Sequence, residues 1–164
     1  MSSEAAAERR SIGPAVVLGV GLGALVDGIM LHQVLGWHHM LSNVQPPTEL
    51  ASLHFNVVWD GLFHLLAWLA TAAGVVLLWR AGRSGRVPQG RRFAGGLLTG
   101  FAAFNLVEGV INHHLLKLHN VREVVDPTPW NVGFLVASAV LLAAGLVLAR
   151  GGERAPPLSR AAVR

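Results

Sequence analysis

Ionisable residues sit inside apolar stretches of this chain, and six of them are the candidates to do chemistry: Asp27, His32, Asp60, His64, Glu108 and His113. A carboxylate surrounded by lipid costs at least about 3 kcal/mol, so three carboxylates accompanied by imidazoles call for a counter-charge. A divalent metal supplies one and organises the imidazoles around it. The chain has no Cys, which excludes disulfides and thiolate ligands. Imidazole plus carboxylate without sulfur suits Cu(II), Zn, Fe or Mn. The six residues are therefore candidate metal ligands. Gln33, Asn105, Asn112, His114 and Asn131 are candidates to orient the imidazoles. A further group, His38, His39, His54 and His119, reads either as a secondary site or as boundary residues. Trp37, Trp59 and Trp130 read as an aromatic belt.

The elements that must carry these residues are apolar runs. The chain has 164 residues, 52% apolar and only 13% charged, where soluble domains carry about 25% charged residues. Runs from Ser11 to about Trp37, Asn56 to Trp79, Phe93 to about Leu116 and Trp130 to Ala149 are each long enough to cross a hydrocarbon core of ~30 Å. The expected fold is an all-α, four-helix membrane bundle over residues 12–150, between an N-terminal segment (1–11) and a basic tail (151–164). Arg9-Arg10 before an apolar run resembles a signal peptide, but the run is long and contains Asp27 and His32, so it reads as a retained span. Arg9, Arg10, Arg80, Arg83, Arg86, Arg91, Arg92, Arg150, Arg154, Arg160 and Arg164 fall on one side; only Lys117 and Arg122 fall on the other. By the positive-inside rule both termini are expected in the cytoplasm. The net charge of +4 does not indicate nucleic acid, because the basic residues mark span ends rather than one face.

Spans one and three align without gaps at an offset of 81: Val26-Asp27-Gly28-Ile29 matches Val107-Glu108-Gly109-Val110, His32 matches His113 and His38 matches His119. Trp59-Asp60 and Phe63 match Trp130-Asn131 and Phe134 more weakly. The expected architecture is two tandem hairpins related by a pseudo-two-fold along the membrane normal. Counted from the Arg anchors, Asp27, Glu108 and His64 lie at one depth, ~24–26 Å from the inner face, with His32, His113, Asp60 and Asn131 roughly 6–9 Å further out. One spacing resists this picture: Asp27 and His32 are five residues apart, about 140° around an ideal helix. Either the site is broad or Gly28 and Gly109 mark a local distortion.

The residues leave several functions open: a membrane metalloenzyme of the oxidoreductase kind, a non-catalytic metal-handling or oxidase-assembly factor, a haem protein, or a proton or ion relay. Haem is disfavoured by acids beside the axial positions, and a relay by the absence of ionisable residues in the inner half of every span. The combination of Asp27-Gly28-Ile29 to His32-Gln33, Trp37-His38-His39-Met40, Asp60-Gly61-Leu62-Phe63-His64 and Phe104-Asn105-Leu106-Val107-Glu108-Gly109 to His113-His114 resembles a bacterial family of four-span membrane proteins, domain-of-unknown-function family 2243, over about Ile12 to Leu148. The resemblance implies a multi-pass protein of the bacterial inner (plasma) membrane. It also implies an association with cytochrome oxidase assembly, hence respiratory-chain membrane proteins as partners besides the bilayer. An outward-facing site favours metals handled at the cell surface, copper first with zinc or iron as alternatives, and the resemblance adds to the case for copper.

Overall fold

A computed structural model describes residues 12–85, 90–123 and 125–150. The N-terminal segment and the basic tail expected from the sequence, with Arg9, Arg10, Arg86, Arg154, Arg160 and Arg164, lie outside the described residues. Four helices make up the fold of the described residues. Helix α1 (Gly13–Asp27) runs on as a π-helical segment, π1 (Gly28–Val34); α2 covers Leu50–Arg83; α3 (Arg91–Glu108) runs on as π2 (Gly109–Leu115); and α4 covers Thr128–Arg150. Counting the π segments, they are 22, 34, 25 and 23 residues long, and all four are apolar enough to cross a membrane. Three span boundaries differ from the sequence reading by three residues or more, one of them the end of the second span, at Arg83 rather than Trp79. The first span stops at Val34 rather than Trp37. The second starts at Leu50 rather than Asn56, because Glu49 and Ser52 form a capping box that extends the helix beyond its apolar stretch.

Helices α1 and α3 form a central pair, with α2 packed on α1 and α4 on α3. Small residues permit this, since membrane helices gain association energy from close backbone packing. A Cβ added at Gly19 would lie 2.1 Å from the Leu97 carbonyl oxygen, and one at Gly100 would lie 2.0 Å from that of Val16. The two contacts are images of each other at the offset of 81. The flanking helices follow suit, with Gly74 against the Leu18 backbone and Gly145 against the Thr99 backbone.

The π segments set the direction of the site. Their hydrogen bonds close over five or six residues: Leu35 N–H to Met30 O (2.8 Å) and Trp37 N–H to Leu31 O (2.9 Å), then Leu116 N–H to Ile111 O (2.7 Å) and Leu118 N–H to Asn112 O (2.8 Å). Such wide turns inside α-helices recur at functional sites. Each segment is followed by a residue of positive φ, Gly36 (55°) and Lys117 (51°). For Lys this costs roughly 1–2 kcal/mol. The reversal folds the following loop back over the helix end and carries His38 and His119 inward.

Candidate metal centre

The widened turn resolves the five-residue spacing. With an i→i+5 repeat, residue 32 comes back over residue 27, and His32 Nε2 lies 3.4 Å from Asp27 Oδ2. In the second half, His113 Nε2 lies 3.2 Å from Glu108 Oε1. Gly28 and Gly109 open these segments where other helices press close. A Cβ at Gly28 would meet the His64 ring at 2.6 Å, and one at Gly109 would meet Leu135 at 2.9 Å and Phe134 at 3.0 Å.

Four imidazoles meet at the loop end of the central pair. Ring centroids of His38 and His119 are 4.5 Å apart and stacked; His32 lies 4.4 Å from His38, and His113 lies 4.8 Å from His119. All four are buried. The two loop histidines are anchored crosswise: His38 Nδ1 bonds the Val121 carbonyl and His119 Nδ1 bonds the Met40 carbonyl, both at 2.9 Å. With Nδ1 used for these bonds, Nε2 of each ring is turned to the cluster. This is the usual arrangement of a ligating histidine. His32, His38 and His119 form one group able to hold an ion, and Glu108, His113 and His119 form another, with ligand atoms within 4.8 Å in each. Burial and the neighbouring His119 and His32 push the His38 pKa down to about 2, so its imidazole is neutral.

Asp60 organises one half of this shell. Its carboxylate accepts from His32 Nδ1 (2.9 Å), His39 Nδ1 (2.6 Å), the Met40 N–H (2.8 Å) and Gln33 Nε2 (3.4 Å). Asn131 occupies the corresponding place in the other half. Its Oδ1 accepts from the Val121 N–H (2.9 Å) and its Nδ2 donates to Asn120 Oδ1 (2.9 Å). No hydrogen bond joins Asn131 to His113, whose Nδ1 has no hydrogen-bond partner and whose Nε2 faces Glu108 Oε1. Asn112 donates to Glu108 Oε1 at 3.3 Å. Ser42 Oγ donates to Glu123 Oε1, and the Glu123 N–H bonds the Trp37 carbonyl, tying the two loops together.

Of the six ligands expected from the sequence, His32, His113 and Glu108 fall in the two groups. Asp60 lies behind His32, and Asp27 touches His32 from below. His64 bonds its own helix through Nδ1 to the Asp60 carbonyl (2.7 Å), with Nε2 buried against Gly28. His54 and His114 are exposed; His39 is half-buried against Asp60. Asn105 is buried beside Asp27. The residues undervalued by sequence reasoning are His38 and His119. They stand eleven residues after Asp27 and Glu108, a step that returns to the same face of an unbroken helix, but the helical segments end at Val34 and Leu115, so that spacing does not by itself place them.

Four membrane-crossing helices with a polar, His-rich cluster buried at one end define a multi-pass membrane protein. The chain matches the family model described as "Predicted membrane protein (DUF2243)" over residues 14–152, and it belongs to that family. No curated protein and no solved structure matches it.

Proposed function

We propose that the protein binds a transition metal through His32, His38, His113, His119 and Glu108, in the half of the bilayer away from the Arg-rich ends. The supporting observation is a concentration of buried polar atoms short of hydrogen bonds: His38 Nε2, His113 Nδ1 and Glu108 Oε2 have no partner, and Nε2 of His32 and of His113 face only carboxylate oxygens, at 3.4 and 3.2 Å. A purely structural polar core pairs its buried atoms; a metal site leaves them facing a common point. The hydrogen bonds of His119 carry the same message. Acceptors face both its nitrogens, the Met40 carbonyl at Nδ1 and Glu108 Oε1 at Nε2 (3.0 Å). A neutral imidazole has only one N–H, so a cation, a second proton or a metal, belongs between Nε2 and Glu108. His119 is common to both groups, and its Nδ1 is taken by a carbonyl, which favours one ion over two.

A donor set of imidazoles and one carboxylate suits Cu(II), zinc or iron, and copper is our first assignment. The lopsided Lys/Arg distribution supports cytoplasmic termini and a site facing outward. The paired contacts at the offset of 81 support an origin in two tandem hairpins.

The test is elemental analysis of tag-free protein in mild detergent, as purified and after reconstitution with Cu(II), Zn(II) or Fe(II). One ion per chain is expected, lost in a His38→Ala, His119→Ala variant. Absence of metal from the parent after reconstitution with each ion overturns the reading and leaves a proton-holding cluster.

A further inference from the structure

Helices α1 and α4 do not pack tightly at the site end. Between them lies a cavity of about 640 Å³, within the ~300–1,000 Å³ of small-molecule sites. Its walls are apolar and aromatic, including Leu31, Trp37, Trp130 and Phe134. Val26 and Met30, which also line it, are exposed on the apolar outer surface of the helices, so entry is from the lipid side. Two polar residues reach it, Asp27 and Asn105. Each is more than nine-tenths buried, and each keeps a side-chain oxygen, Asp27 Oδ1 and Asn105 Oδ1, without a partner.

We infer that this cavity binds a lipid-soluble aromatic alcohol, of the hydroquinone or alkylphenol class, whose hydroxyl donates to Asp27. The chemistry selects the occupant. An ionised carboxylate only accepts hydrogen bonds, so the missing partner is a donor, and an acyl chain of a bilayer lipid offers none. Trp37 and Trp130 meet edge to face, with centroids 5.0 Å apart, and favour a planar head group over a branched one. The other oxygen of Asp27 lies 3.4 Å from His32, so the hydroxyl sits one carboxylate away from a proposed metal ligand. The inference thus deepens the metal reading by naming its substrate class, but the binding itself does not need the metal.

The test uses chelator-treated, metal-free protein in detergent and follows quenching of tryptophan fluorescence by decyl-hydroquinone, kept reduced, and by its dimethyl ether. The parent is expected to bind the hydroquinone at least tenfold more tightly than the ether, as a hydrogen bond to a charged group is worth ~1.5–3 kcal/mol. Asp27→Leu should erase the preference while keeping binding of both probes. Gly133→Leu should weaken both at least tenfold, because Gly133 lines the cavity and a Cβ there meets nothing within 4 Å, so the added side chain fills space without a clash. Equal affinity of the parent for the two probes overturns the assignment and makes the cavity an acyl-chain groove. Unchanged binding in Gly133→Leu overturns the location. Because the protein is metal-free, failure here is separate from failure of the metal site, which elemental analysis reads.

Discussion

Replacing Asp60 with Asn tests how the fold supports the proposed centre, and the protein contains its own reference for the outcome. Asp60→Asn keeps an oxygen for the Met40 N–H, as Asn131 does for the Val121 N–H, so the loop anchor survives. The charge behind His32 is lost, together with one of the two acceptors now shared among His32, His39 and Gln33. A carboxylate behind a ligating imidazole fixes its tautomer and raises its basicity, and removing such a partner costs 10–100-fold in metal affinity, or about 1.4–2.8 kcal/mol. Competition titration against a chelator of known affinity, in detergent, measures the change. Far-ultraviolet circular dichroism of the variant should match the parent. An affinity within twofold of the parent refutes the role given to Asp60, provided His32→Ala loses the ion.

Three further outcomes are expected. Gly19→Ala or Gly100→Ala should each destabilise the central helix pair by about 1–3 kcal/mol, read as a lower midpoint of unfolding in a denaturing detergent, while Gly133→Ala, facing open space, should not; equal midpoints for all three contradict the close α1–α3 contact. The chain has no Cys, so single cysteines report topology: Asn43→Cys should react with a membrane-impermeant maleimide in intact cells and Ser84→Cys only after lysis, and the reverse pattern overturns the orientation. The pKa of His38 is about 2 in the folded protein against about 6.5 unfolded. The unfolded state therefore binds the extra proton, and the stability contributed by neutral His38 is present above about pH 6.5 and lost progressively as the pH falls below it. Apo-protein melting should drop from pH 7 to pH 5 in the parent and less steeply in His38→Phe; parallel slopes would contradict this.

The spans were legible because apolar length and Arg placement are strong signals, and Asp27, Glu108, His32 and His113 stood out because charged groups in such runs are costly. The turn that brings Asp27 and His32 together was harder to read. On an α-helix a five-residue step points away, and only the glycines at 28 and 109 hinted at the π segments that reverse this. The inward course of His38 and His119 was not legible. It depends on positive φ at Gly36 and at Lys117, and a lysine carries no signal for that conformation. Crosswise bonding of His38 to Val121 and of His119 to Met40 is a long-range effect of two loops meeting, which local pattern does not encode. The cavity beside Asp27 arises from helix placement and was equally invisible.

The central claim is that imidazoles of both halves hold one ion, and X-ray absorption at the edge of the reconstituted metal tests it most directly. The account predicts a first shell of nitrogen and oxygen at ~2.0–2.1 Å, with the outer-shell scattering of three or four imidazoles, and no bound metal in the His38→Ala, His119→Ala variant. A shell without imidazole scattering, or one unchanged in that variant, would contradict it.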